Sequence, residues 1–199
     1  MPDNYRTIVA DPPWLPTLGA TWNSSYNDKA RPHRRYPTLT LAAIKALSVP
    51  SSEQSHLYLW AIAQHVDWAY EVAGSWGFEP IILWTWHKPG LGVGRFRCNS
   101  EHVLVCRKGS RHGNPFGAGG RHAQATEGTV FKWPRHKHSE KPGEFFSLVE
   151  SLSPGPYLEM FARTPRLGWD VWGNEVPCDT DIATKELANG IDTRSTPSL

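Results

Sequence analysis

Cysteine is scarce: Cys98, Cys106 and Cys178 are the only three in 199 residues. So few and so scattered, they cannot build a disulfide framework or a paired CxxC zinc site, and they fit a reducing compartment. Cys98, His102 and Cys106 fall at every fourth residue, but the valines among them favour a strand over a helix, so no structural metal is expected. Charge of one sign is not in excess either. Lys and Arg number 21 against 19 Asp and Glu, a net charge of +2, so any nucleic-acid footprint must be local. Long hydrophobic runs are missing, the longest being Leu57 to Ala63, far too short to span a bilayer. The opening MPDNYRT lacks the basic-then-apolar start of a secretory leader. A soluble, cytoplasmic protein with no membrane partner is expected. There is no internal repeat and no GxGxxG.

What is present suffices for a folded domain. Hydrophobic residues make up 39% of the chain, and its 10 Trp argue against disorder. The length suits one domain, expected over residues 1–178, with a flexible tail over 179–199. A Gly- and His-rich stretch from Arg107 to Lys137 carries many cations against the single acid Glu127, and is expected to form a basic loop outside the core.

Hydrophobic patterning gives alternating strands and helices. Tyr5 to Ala10 reads as a strand stopped by two prolines. Leu41, Ile44 and Leu47 have helical spacing, Leu57 to Ala63 has the look of a buried strand, and Val66 to Trp76 reads as a helix closed by Gly77. Strands are expected at Pro80 to Trp86, Glu101 to Cys106, Tyr157 to Ala162 and Trp169 to Trp172, with a weaker one at Thr129 to Trp133. Between them Pro142 suits the first turn of an amphipathic helix ending before Ser153-Pro154-Gly155-Pro156. This order predicts an α/β fold with a mostly parallel sheet flanked by helices.

Asp11-Pro12-Pro13-Trp14 follows the first strand directly, at the carboxyl edge where open α/β sheets place their ligands. Proline has no N–H, so the segment offers carbonyl oxygens in a rigid turn. Asp11 and the Pro12 carbonyl supply two acceptors, and Trp14 supplies a flat face. An exocyclic purine amine is a poor nucleophile because its lone pair is delocalised into the ring, and two fixed acceptors localise that pair.

Other segments accompany this motif: Tyr36-Pro37-Thr38-Leu39, Trp84-Thr85-Trp86-His87-Lys88-Pro89, Asn99-Ser100-Glu101-His102, His138-Ser139-Glu140-Lys141-Pro142, Leu158-Glu159-Met160-Phe161-Ala162-Arg163, and Gly168 to Glu175. In order and spacing they resemble the DPPW-type adenine N6-methyltransferases, the A-seventy family, over roughly Tyr5 to Cys178. The resemblance implies a permuted Rossmann-like sheet, S-adenosylmethionine as methyl donor and the N6 amine of adenine as acceptor, in DNA rather than RNA. It implies Asp11, Pro12, Pro13 and Trp14 as catalytic and Lys141, Glu159, Arg163, Asn174 and Glu175 as cofactor-binding. Tyr36 and Trp86 would border the adenine. Read as a strand, the segment is expected to turn Trp84 and Trp86 to opposite faces, with Trp86 toward Trp14. An RNA substrate or a non-catalytic nucleic-acid-binding subunit are the alternatives, and a homodimer or heterodimer is compatible with the family. Two departures stand out: only ten residues precede Asp11, suggesting a more open donor site, and Glu175 replaces the Gln of eukaryotic members.

Arg31, Arg34 and Arg35, with Arg111 and Arg121 of the basic stretch, flank the base pocket in motif order and are assigned to phosphates. Replacing Arg111 and Arg121 by Ala should therefore weaken nucleic-acid binding equally across sequences. The salt dependence should flatten by about one unit of slope per lost phosphate contact, as read from binding isotherms at several salt concentrations. Unchanged binding would make the stretch a solvated surface.

Overall fold

The first strand, β1 (Tyr5–Ala10), is almost wholly buried and stops where Asp11-Pro12-Pro13 withdraws two ladder donors. In the computed structural model, which describes residues 4–15, 38–90, 97–109, 128–134 and 140–183, β1 is followed by α1 (Leu41–Lys45), capped by the Thr40 hydroxyl accepting from the Ala43 N–H. Next come β2 (Ser51–Ile62), a 3-10 turn (Ala63–His65), α2 (Val66–Ser75), β3 (Glu79–His87), β4 (Ser100–Lys108) and the short β5 (Val130–Phe131). The chain closes with α3 (Gly143–Leu152), β6 (Tyr157–Met160) and β7 (Trp169–Trp172).

Among the described residues the strands form one seven-stranded sheet in the order β5-β3-β4-β2-β1-β6-β7. Only β4 runs against its neighbours, so the sheet is mostly parallel, as expected. The chain winds outward from β1 through β2 on one side and returns to its other side through β6. The carboxyl ends of β1 and β6 therefore meet at the point where the strand order reverses, the place such sheets reserve for ligands.

Each face of the sheet carries its own core. Ile8, Ala10, Leu57, Leu59 and Leu104 pack with α1 and α2 on one face, together with Trp14, Trp76 and Phe78. Val9, Tyr58, Trp60, Trp84, Trp86 and Val103 pack with Phe145, Phe146 and Val149 of α3 on the other. The period-two alternation along β1, β2 and β4 produces this division. Because α3 covers the second face, the segment just before it, Glu140-Lys141-Pro142, is delivered to the sheet's carboxyl edge on that side. Pro142 occupies the N-cap, one residue ahead of the position expected for it.

Three expectations need correction. Trp84 and Trp86 do not face opposite ways: residues two apart on a strand share a face, and both belong to the α3-side core, whereas Trp14 belongs to the other. The stretch from Arg107 to Lys137 is not all outside the core, since Arg107 and Lys108 end β4 and Phe131 is buried against Trp84 and Trp133. Nor does the tail begin at 179. The Asp179 N–H donates to the Val171 carbonyl and its carboxylate accepts from the Val171 N–H, while Ala183 accepts from the Ser48 N–H. Tyr36, Arg31, Arg34, Arg35, Arg111 and Arg121 lie outside the described residues. Among the described residues no helix is long and apolar enough to cross a membrane.

Near the opposite edge of the sheet, His56 Nδ1 and the Tyr58 hydroxyl both lie 2.7 Å from the buried Ser153 hydroxyl. Burial, reinforced by the positive charge of Arg6, depresses His56 to about 4. An unfolded histidine protonates near 6.5, so below that pH the unfolded chain takes a proton that the native site resists. His56 should thus lower stability progressively as pH falls from about 6.5 to about 4, by on the order of 3 kcal/mol. Urea unfolding midpoints should decline over this range in the wild type and decline less in His56→Gln; identical pH dependence in the two proteins would contradict the assignment.

Candidate active site

The segment after β1 is fixed by its own backbone. The Asp11 N–H reaches the Met160 carbonyl at 3.4 Å, tying the end of β1 to the end of β6. The Trp14 N–H donates to the Pro12 carbonyl at 2.8 Å, the Leu39 N–H donates to the Pro13 carbonyl at 2.9 Å, and Trp14 and Leu39 form a parallel bridge. The Pro12 oxygen thus keeps one lone pair for a ligand. Trp14 is only 8% exposed, with its indole N–H donating to the Trp60 carbonyl at 3.1 Å and its rings packed beside His65 and Trp68. It anchors the loop and presents little open face.

Asp11 is joined to a line of alternating charges. Lys141 Nζ lies 2.9 Å from Asp11 Oδ2 and 3.0 Å from Glu101 Oε2, and Lys88 donates to Glu101 Oε1. Lys141 also sits 4.7 Å from the Trp60 ring centroid. Burial works against the Lys141 charge, but Asp11 and Glu101 outweigh it and hold the ammonium above its ordinary range. Burial likewise pushes Glu101 up, and Lys141 with Lys88 overcomes it, so the carboxylate is held below the usual range. Among the described residues Asp11 Oδ1 has no hydrogen-bond partner, which leaves one anionic acceptor beside the Pro12 carbonyl.

Glu159, paired in register with Val9 of β1, lies on the same side of the sheet. Burial, together with the nearby Asp11 charge, raises its carboxyl to about 7 in spite of Arg166, whose Nε lies 3.6 Å away. Arg166 is itself laid over the Phe146 ring of α3 at 3.4 Å. Beyond β6 the chain turns through Phe161, a non-glycine residue at φ 64°, and the Ala162 N–H donates to the Trp172 carbonyl. At Gly173 a Cβ would meet the Ala162 carbonyl oxygen at 2.2 Å, so only glycine lets the end of β7 approach this turn. Arg163 and Glu175 then face each other at 3.9 Å, and the exposed Asn174 lies between Gly173 and Glu175.

The structure therefore gathers Asp11, Pro12, Lys141 and Glu159 at one sheet edge, with Arg163, Asn174 and Glu175 at the ends of the neighbouring strands. Trp86 lies under the Lys88 end of this group, buried in the α3-side core. Its indole N–H donates to the Trp133 carbonyl, Lys88 lies 5.1 Å over its ring, and it is 3% exposed. Lys88, Glu101 and Arg166 carry charge in the site but were given no role from sequence. The motifs Trp84 to Pro89 and Asn99 to His102 had singled out the first two segments, and only strand pairing reveals that they meet.

A family model described as MT-A70 matches residues 5–175. The chain belongs to the MT-A70 family. It is 30% identical to the type II methyltransferase M.MunI of a Mycoplasma species, over 87% of this chain and 78% of that protein. It is 28% identical to the human N(6)-adenine-specific methyltransferase METTL4 and 26% identical to the catalytic subunit METTL3 of the human N(6)-adenosine-methyltransferase. Those two matches span only 38% and 28% of the relatives' lengths. The sheet edge described above lies inside the MT-A70 match, so this is a methyltransferase domain whose first strand ends just before Asp11.

Removing Arg166, as in Arg166→Met, takes away the cation that opposes the upward displacement of Glu159. Carboxyl-selective NMR should find Glu159 titrating near 7 in the ligand-free protein and higher still in the variant. A wild-type midpoint in the ordinary glutamate range would overturn this description of the site.

Proposed function

We propose that this MT-A70 domain transfers a methyl group from S-adenosylmethionine to the N6 amine of adenine in nucleic acid, with DNA as the favoured substrate. One observation carries the reading. At the reversal point of the sheet, Asp11 and the Pro12 carbonyl form a fixed pair of acceptors beside a buried ammonium, the requirement for localising an amine lone pair. The preference for DNA rests on the relatives. M.MunI, matched over 78% of its own length, is named a type II methyltransferase.

The donor fits the residues present. Glu159 offers a desolvated carboxyl, Lys141 and Arg163 offer cations, and the close backbone approach at Gly173 shapes a cradle in front of Asn174. Lys141, Glu159, Arg163, Asn174 and Glu175 are the residues we assign to hold it, and when bound it supplies an electrophilic methyl group. This chain's residues do the rest. Asp11 Oδ1 and the Pro12 oxygen accept the two N–H bonds of the amine and turn its lone pair outward. Lys141, already on Asp11 Oδ2, holds the carboxylate in one rotamer. With the donor bound, its methyl carbon would bond to the nitrogen as the sulfur keeps the electron pair of the broken bond, and positive charge would develop on nitrogen. The Asp11 carboxylate would stabilise this charge until the proton passes to solvent water. A paired adenine cannot reach Asp11 without leaving its stack, at a cost of a few kcal/mol.

Labelled-methyl transfer to oligonucleotides tests the reading. Single-stranded or mismatched adenine sites should react at least as fast as paired ones, and DNA faster than RNA of the same sequence. Asp11→Ala should remove transfer, and Asp11→Asn, which keeps one acceptor oxygen, should lose most of it. Lys141→Ala and Asn174→Ala should weaken donor affinity in calorimetry by roughly 1 to 3 kcal/mol each. A fully active Asp11→Ala, or unchanged donor binding in both other variants, would refute the assignments.

A further inference from the structure

We propose that Lys88 is a positioning residue for methyl transfer: it takes one oxygen of Glu101 and balances its charge, so that the other oxygen and Asp11 share Lys141. The proposal rests on Asp11 being the amine acceptor.

The strands dictate the meeting. Trp86 pairs with Glu101 and His87 with Ser100 in the antiparallel β3–β4 ladder, and the Lys88 N–H donates to the Asn99 carbonyl at 2.7 Å. Lys88 is thus held at the end of the hairpin nearest Glu101. Below the two ammonium groups lies an aromatic floor. Lys88 sits 5.1 Å over Trp86 and Lys141 sits 4.7 Å over Trp60, and the two indoles meet edge to face at 6.0 Å. The Trp86 N–H is tied to the Trp133 carbonyl, so the floor cannot turn freely.

With both lysines present, Asp11 and Glu101 are matched one to one by Lys141 and Lys88. Each Glu101 oxygen has its own cation, so Lys141 need supply only one bond there and keeps the other for Asp11. Without Lys88, two carboxylates compete for a single ammonium. Glu101, with its side chain 15% exposed, is less hydrated than Asp11 at 28%, and therefore gains more from the cation. Lys141 is drawn to Glu101, and Asp11 loses the contact that fixes its rotamer. Lys141 keeps its charge and its place over the Trp60 ring, so the effect falls on orientation of the acceptor more than on donor binding.

The test uses the full chain with Lys88→Met and Lys88→Arg, each in the wild-type and Glu101→Gln backgrounds. Lys88→Met should lower kcat by about tenfold or more with the donor KM within about twofold, and Lys88→Arg should restore kcat to within about threefold of wild type. In the Glu101→Gln background there is no second carboxylate to compete, so Lys88→Met should cost less than about twofold. A ligand-free crystal structure of Lys88→Met should show Lys141 Nζ out of ion-pair distance from Asp11. Losses that multiply in the double variant, or a Lys141–Asp11 contact unchanged in that structure, would overturn the proposal. Should the wild type transfer no methyl group to adenine, the function proposed above fails, while the Lys141–Asp11 distance in the variant still decides the role of Lys88. Lys88→Gln serves the same measurements if the Met variant does not fold.

Discussion

A single ammonium shared between two carboxylates holds this site together. Lys141 is surrounded by Trp60, Asp11 and Glu101, and a charge there would be costly without both acids. Removing one partner of such an array leaves a desolvated charge behind, so the array must form whole. With Lys88 on Glu101, the four charged members come from separate places in the chain: the end of β1, the end of β3, the start of β4 and the segment before α3. The sheet brings the first three to one edge, and the packing of Phe145, Phe146 and Val149 on the α3 side brings the fourth. The buried core and the charged edge are in this sense one structure, since shifting α3 would move Lys141.

The donor side is built on different chemistry. Glu159 sits where burial and Asp11 disfavour its anion, so near neutral pH it is poised between a hydrogen-bond donor and an acceptor. Arg166, stacked on Phe146, limits this displacement without abolishing it. The two carboxyl groups at the ends of β1 and β6 therefore differ in character although their strands are neighbours. Asp11 has its own ammonium at hydrogen-bond distance, and Glu159 has only a more distant guanidinium. Both stand at the strand-order reversal, and the glycine-dependent approach of Gly173 to Ala162 adjoins them.

Much of this was legible in the sequence because it is local. Ile8 and Val9 followed by Asp11-Pro12-Pro13 mark a strand and its end, and the spacing of Phe145, Phe146 and Val149 marks α3. The resemblance singled out Lys141, Glu159 and Arg163, and the structure brings them to one end of the sheet. What stayed hidden depends on pairing between distant segments. Lys88 and Glu101 were visible as motif residues, yet nothing local says that β3 and β4 form a hairpin whose end meets Lys141. Trp84 and Trp86 share a face because a strand's period of two puts residues two apart together, so neither turns to Trp14. Thr129 to Trp133 carries only a weak strand signal, and nothing local in the basic stretch says that Phe131 is buried against Trp84. Asp179 to Ala183 read as a tail because their attachments go to backbone groups of Val171 and Ser48, which no hydrophobic pattern announces.

The central claim is that Asp11 makes this MT-A70 domain an adenine N6-methyltransferase acting on DNA. The most direct measurement is base-resolved methylation sequencing of the genome of a host lacking adenine methylation, expressing either the wild-type chain or Asp11→Ala at matched soluble levels. The account predicts N6-methyladenine at defined sites with the wild type and none with Asp11→Ala. Equal methylation from the two proteins, or none from a folded, soluble wild type, would contradict it.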